Sequence, residues 1–333
     1  MRRRDALAAV GVMAGAFATL AHAQRRAKPF RIGLLPEFDD IPDYRKDLAA
    51  LLGGLGWREG RDFNFVVTGA KYSPGEMDGA ARRMVQEKPD LILAAATAYA
   101  AAAHRLTKTI PIVMLASGYP VEAGIAHSLA RPGKNVTGNT IYAGTGVWGK
   151  FLELLREAKP GIRRIGMLMA YVPPGHAREE TDPVLLEASQ AADKLGVRLH
   201  IVEVAAPDRA AAAMAEVEAK APEALLLTSG QGLWTVRESV MKFAVKHRLP
   251  TMVDFVWAGI EPPPLLSYAP ELRALWRPAL SYVVRILRDG ANPADLPIQQ
   301  PSKFELVINL RAAKAIGLTL PQSFLLRADR VIE

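Results

Sequence analysis

Short apolar runs alternate along this chain with longer stretches of helical periodicity. Residues 30–35 (F-R-I-G-L-L) form the first run, and residues 163–169 (R-R-I-G-M-L-M) open the second half in the same way. Each is followed by a helix-like stretch ending in Leu-Gly, at Leu55-Gly56 and Leu195-Gly196. Glycine is the usual residue just past a helix end because it accepts a positive φ. Alternating strands come next, at residues 63–68 and 198–204, and another helix follows each. Residues 89–97 (P-D-L-I-L-A-A-A-T) match 222–230 (P-E-A-L-L-L-T-S-G), and 110–115 (I-P-I-V-M-L) match 249–254 (L-P-T-M-V-D). The offset between the halves stays between 133 and 140 positions. Matches in one order at a near-constant offset identify an internal duplication.

Each half therefore reads strand–helix–strand–helix–strand–helix–strand. Short apolar strands between longer helices predict an α/β fold of two Rossmann-like lobes, with parallel sheets flanked by helices. Ser73-Pro74-Gly75-Glu76 is a capping box with proline at the first helical position. The helix 77–86 then aligns Ala80, Ala81, Met84 and Val85 on one face. The helix near 147–158 is expected to bury Phe151, Leu152, Leu154 and Leu155. A tail follows the second unit: strand 265–268, helix 270–287, strand 304–309 and helix 310–316. It is too small for a domain and is expected to complete the two lobes. The expected division is 29–142 plus 266–292 for the first lobe and 143–265 plus 293–333 for the second. A chain that returns to its first lobe crosses the interface more than once, which makes a multi-crossover hinge suited to closing two lobes on a ligand.

Composition and charge narrow the class. Arg2, Arg3 and Arg4 precede an apolar stretch from Ala6 to Leu20, and Ala21-His22-Ala23 is an A-x-A cleavage site. That is the layout of a secretory signal over residues 1–23, with a mature start at Gln24 and a periplasmic destination. The apolar stretch is about 15 residues, short of the roughly 20 that span a bilayer. The paired arginines also resemble a twin-arginine signal, although Ala6 stands where that pattern usually has Phe, so both export routes stay open. Cysteine is absent, which removes disulfides, thiolate nucleophiles and zinc–thiolate sites together. Loss of three arginines and one aspartate with the leader lowers the net charge from +8 to +6. The basic residues are dispersed rather than clustered, so no nucleic-acid partner is expected.

In open parallel sheets, ligands bind beyond the C-terminal ends of the strands. The loops in question are 36–39, 96–98 and 117–120 in the first half, and 170–174, 229–232 and 254–257 in the second. The candidate ligand-binding residues are Pro36, Glu37, Thr97, Ala98, Ser117, Gly118 and Tyr119, with Tyr171, Ser229, Gly230, Gln231, Asp254 and Phe255 facing them. Thr97 and Ser229 stand where helices begin, so each hydroxyl either holds an anionic ligand group or caps its helix. Asp254 suits a ligand amine or caps a loop. Tyr119, Tyr171, Phe255 and Trp257 either stack on a flat ligand or pack at the lobe edges. No metal or cofactor is expected, and a monomer that binds a small solute is. Catalytic signatures such as G-x-S-x-G and H-E-x-x-H are missing, so the chain reads as a receptor and not an enzyme. One rival is a nucleotide-dependent enzyme using Gly144-Thr-Gly146-Val-Trp-Gly149, which fits G-x-G-x-x-G but does not follow the opening strand of a βαβ unit. It reads instead as the flexible first crossover between lobes. A ligand-sensing receptor, or a two-lobe repressor, is the other rival.

Beyond this reading, the run Y-P-V-E-A-G-I-A-H-S-L-A-R-P-G-K-N-V-T-G (119–138) resembles the central motif of a group of ABC-transporter substrate-binding proteins. L-S-Y-A-P-E-L (266–272), Q-P-S-K-F-E-L-V-I-N-L-R-A-A-K-A-I-G-L (300–318) and L-G-W-R-E-G (55–60) resemble its other signatures. The resemblance covers essentially all of the mature chain. It implies a type I periplasmic-binding fold and delivery of a small solute to an ABC permease in the inner membrane. Some members are associated with tryptophan or related amino acids. Two positions depart from the family: Tyr119 stands where an aspartate is common, and Glu261-Pro262-Pro263-Pro264 replaces a glycine-rich stretch.

Overall fold

The computed structural model describes residues 28–36, 44–69, 74–141, 146–170, 183–204, 207–228, 231–254 and 260–333. The expected leader, residues 1–23, lies outside them. The first lobe opens with β1 (Phe30–Leu35), α1 (Tyr44–Gly54), β2 (Phe63–Val67), α2 (Pro74–Gln86) and β3 (Leu91–Ala94). It continues with α3 (Thr97–Leu106), β4 (Ile112–Ser117) and β5 (Val136–Thr140). Its sheet runs β2-β1-β3-β4-β5, all parallel.

The second lobe contains α4 (Val147–Ala158), β6 (Arg164–Ala170), α5 (Pro183–Leu195), β7 (Arg198–Val204), α6 (Ala210–Glu218) and β8 (Ala224–Leu227). Next come α7 (Gln231–Lys246), β9 (Thr251–Val253), β10 (Leu266–Ala269) and the long α8 (Leu272–Asp289). The chain ends with β11 (Glu305–Asn309), α9 (Leu310–Ala315), α10 (Gln322–Leu325) and β12 (Arg330–Ile332). The second sheet runs β12-β11-β10-β9-β8-β6-β7, with β10 and β11 antiparallel and the other pairs parallel.

Helices cover both faces of each sheet, which explains the apolar runs. Leu91–Ala94 and Ala224–Leu227 are buried at every position. In the first lobe, Ile32 and Leu34 pack with Leu48 and Leu52 of α1, and Leu35 packs with Met77 and Ala80 of α2. Phe151, Leu152, Leu154 and Leu155 are buried on α4, and Ala80, Ala81 and Met84 on α2. Val85 is half-buried.

The duplication extends to individual contacts at an offset of 133 positions. The Asp90 carboxylate accepts the Arg31 backbone N–H at 2.7 Å, and the Glu223 carboxylate accepts the Arg164 N–H at 2.9 Å. Each pair joins the start of one strand to the loop that enters its neighbour. Lys88 and Ala221, in the turns just before these carboxylates, share the left-handed conformation at φ 49° and 47°. Gly33 and Gly166 lie against Met84 and Val217: an added Cβ would meet Met84 Sδ at 2.3 Å and Val217 Cγ1 at 2.5 Å. Strand and helix approach this closely only where a side chain is missing.

The tail corrects the expected lobe division. Leu266–Ala269 pairs with β9 and β11, so it belongs to the second sheet. Only then does the chain return: Trp276, Ala279, Leu280 and Val283 of α8 pack into the first-lobe core with Val113 and Leu115 of β4. Residues 293–299 also remain with the first lobe. They lie along β5, with Gln299 N–H donating to Gly138 O and Thr140 N–H to Gln299 O, both at 2.8 Å. The Thr137 hydroxyl donates to Leu296 O at 2.7 Å. β5 itself was not anticipated as a strand. Pro278 interrupts the N–H ladder of α8, and in the same region Asn139 Nδ2 of β5 donates to Leu275 O. The chain thus passes from one lobe to the other between β5 and α4, between β10 and α8, and between residues 299 and 305.

Candidate functional site

Parallel pairing brings the C-terminal ends of β1, β3, β4 and β5 to one edge of the first lobe. Pro36 is buried just past β1. Thr97 is the first residue of α3, but Ala96 occupies the cap position and provides no side-chain cap. The Thr97 hydroxyl instead accepts the Gly118 N–H at 2.8 Å, tying the end of β3 to the end of β4. That bond, and not a side-chain cap of α3, engages the Thr97 oxygen, while its O–H stays able to donate. The hydroxyl hydrogen and the first amides of α3 remain on the same edge, with Ala98 half-buried beside them.

Ser117 ends β4 opposite Thr140 of β5 and is fully buried. Its carbonyl accepts the Ile141 N–H at 2.7 Å, whereas its Oγ has no hydrogen-bond partner among the described residues. Tyr119, next but one, turns away from the strand. It packs against the second-lobe core, and its hydroxyl accepts the Trp148 indole N–H at 3.1 Å.

On the second lobe, Asp254 follows β9 and is 4% exposed. The pairing of Leu227 with Val253 sets it beside Thr228, itself buried at the end of β8. Thr228 was missed in the sequence because the loop was taken to start one residue later. Gln231 opens α7. Glu37, Tyr171, Ser229, Gly230, Phe255 and Trp257 lie outside the described residues. Asn139 and Thr140, also buried at the first-lobe edge, were missed as well.

The glycine-rich run has another use than nucleotide binding. Gly146 caps α4 in the left-handed conformation, and the Gly146 and Trp148 amides donate to the Glu187 carboxylate at 2.5 and 3.2 Å. A carboxylate of the same chain thus takes the helix terminus where a pyrophosphate would sit. Residues 142–145, the rest of the expected flexible crossover, lie outside the described residues. Among the described residues no group of three His, Cys, Asp or Glu side chains is arranged to hold a metal. His104 lies away from the strand ends, 2.6 Å from Asn135 Oδ1, and burial holds its pKa below the usual value.

Two α/β lobes with parallel sheets, joined by repeated crossings and presenting strand ends with buried hydroxyls and a carboxylate, define the type I periplasmic-binding fold. The model of the family described as ABC transporter substrate binding protein matches residues 43–332, and the chain belongs to that family. The tyrosine-binding protein of Clostridioides difficile is 33% identical over 144 residues, covering 43% of this chain and 41% of that protein. The match therefore spans less than half the length of that relative. A conserved domain protein from Vibrio cholerae has a crystal structure 27% identical to this chain, with a TM-score of 0.80 over 91% of this chain and 100% of that one. A Streptococcus pneumoniae ABC domain in complex with L-Trp is 22% identical, with a TM-score of 0.80 over 92% of this chain and 100% of that one. At that identity the likeness bears on the fold. Among the described residues no helix is long and apolar enough to cross a membrane.

Proposed function

We propose that this chain captures a small amino-acid-like ligand, with a carboxylate and an apolar or aromatic body, between its lobes and delivers it to an ABC permease in the inner membrane. The observation that carries this reading is Ser117 Oγ, a fully buried hydroxyl with no partner among the described residues, at the strand-end edge where such folds bind ligands. Buried polar groups of this kind are normally satisfied, and a ligand carboxylate would accept from Ser117 and Thr97 together. Asp254 would take the α-amine, supported by its burial beside Thr228. The relatives named for tyrosine and L-Trp bind ligands with this combination of groups. The reading is of binding and not catalysis, by a monomer without cofactor or nucleic-acid partner. Export by the leader at residues 1–23 would deliver it to the periplasm, and N-terminal sequencing of the secreted protein should begin at Gln24.

A thermal-shift screen against L-amino acids, aromatic acids and short carboxylates tests the ligand class. Stabilisation by an aromatic or large apolar L-amino acid, and not by its decarboxylated amine, is expected. A folded protein that responds to no compound in the panel overturns the class.

A further inference from the structure

A row of aromatic side chains runs beneath the three crossings. Trp148, at the start of α4 just past the first crossing, meets Phe151 edge-on with ring centroids 5.2 Å apart. Phe151 meets Tyr268 edge-on at 6.2 Å, and Tyr268 stacks on Phe304 at 5.2 Å. Tyr268 lies in β10, just before the second crossing, and Phe304 ends the third. The row therefore joins the second-lobe ends of all three crossings into one packed block. Tyr119 reaches this block from the first lobe, through the hydrogen bond from Trp148 Nε1 to its hydroxyl.

Both partners of that bond are held. Trp148 is 0% exposed, so its indole N–H is held by protein and not by bulk water. The backbone leading to Tyr119 is fixed twice, by Gly118 N–H on Thr97 Oγ1 and by Ile141 N–H on Ser117 O. The second of these bonds holds Ser117, two residues before Tyr119, against Ile141, the last described residue of the first lobe before α4.

We propose that the Tyr119–Trp148 hydrogen bond is the pin of the hinge: it fixes the first lobe to the aromatic block at one point, confines the lobes to rotation about it, and so sets how much of the ligand-free population presents a closed cleft. Tyr119 is then a positioning residue that acts on ligand capture through the hinge. Ligand affinity falls in proportion to any loss of the competent population, with ligand contacts unchanged. The proposal rests on the two-lobe receptor reading but on no particular ligand.

The chain has no cysteine, so a pair introduced at exposed Arg82 on α2 and Lys194 on α5 takes one spin label on each lobe. Double electron–electron resonance on the ligand-free protein then reads the inter-lobe distance distribution. Tyr119→Phe keeps its ring and removes the bond; Trp148→Phe removes the bond and also shrinks a fully buried indole to a phenyl. Each is expected to raise the population outside the parent's distance band roughly three- to tenfold, the range set by one hydrogen bond. The double variant should go no further than Trp148→Phe alone, because the bond that Tyr119→Phe removes is already lost there. A Tyr119→Phe distribution matching the parent's, or single effects that add in the double, overturns the proposal. If Trp148→Phe does not fold, the Tyr119→Phe distribution decides alone.

Discussion

Gly166 tests whether the close strand–helix approach in each lobe is built on a missing side chain. In Gly166→Ala the new Cβ falls 2.5 Å from Val217 Cγ1 and 3.1 Å from Leu225 Cδ2. Carbon contacts are comfortable at about 3.5–4.0 Å, so β6 and α6 must separate by about 1 Å. Overpacking of this kind costs about 1–3 kcal/mol. Val217 is fully buried, and truncating it to alanine removes two methyl groups, for about 2 kcal/mol including the cavity. The cavity lies where the new methyl needs room. The double variant should therefore be no less stable than Val217→Ala alone, a coupling equal to the whole Gly166→Ala cost of about 1–3 kcal/mol. Urea unfolding followed by circular dichroism measures it as a shift of midpoint at constant slope. Costs that add within about 0.5 kcal/mol would refute the steric argument. The equivalent Gly33→Ala should cost less, because its obstacle is the flexible thioether of Met84.

Other consequences follow from individual contacts. The Arg163 backbone N–H, joined by the Arg164 N–H and guanidinium, holds the Glu223 carboxyl below its usual pKa against the opposing effect of burial. A depressed folded-state pKa means that this stabilisation is complete above the unfolded-state value, about 4.3, and is lost as pH falls through the folded one. Glu223→Gln keeps an acceptor for both backbone N–H groups, so it should cost only about 1 kcal/mol at neutral pH while flattening the acid limb of a stability–pH curve; an unchanged acid limb would contradict this. Asn309 caps α9 by accepting the Ala312 N–H at 3.2 Å, so Asn309→Ala should lower stability by about 1 kcal/mol in the same urea assay. Thr97→Val removes the acceptor of the Gly118 N–H and should cost about 1 kcal/mol of stability while raising the ligand Kd about tenfold. Thr97→Ser should restore most of both by calorimetry, and a valine variant that binds like the parent would exclude the hydroxyl from the site.

How far the sequence revealed the fold depended on the range of the interactions involved. Strands buried on both faces, such as Ala224–Leu227, announce themselves as apolar runs, and the duplication was legible because those runs recur in one order at a near-constant offset. β5 was not legible. Its sequence, V-T-G-N-T, is largely polar, and it is buried because Thr137 and Asn139 bond to carbonyls 159 and 136 residues away. The lobe of β10 was misjudged for a related reason: a local pattern identifies a strand but not its neighbour. Strand-end reasoning placed Ser117 and Asp254 at the ends of β4 and β9, and both are buried there, as parallel topology requires. The partner of the Thr97 hydroxyl lies 21 residues on, beyond any capping motif.

On the function proposed above, the strand-end edge bearing Ser117 receives the carboxylate of an amino-acid-like ligand. Isothermal titration of the mature protein with L-tyrosine and L-tryptophan, in parallel with its Ser117→Ala variant, tests it most directly. Saturable one-to-one binding of at least one of them, weakened about tenfold or more in the variant while its unfolding midpoint stays near the parent's, is the predicted result. Equal affinity in parent and variant, or no binding of either amino acid by folded protein, would contradict it.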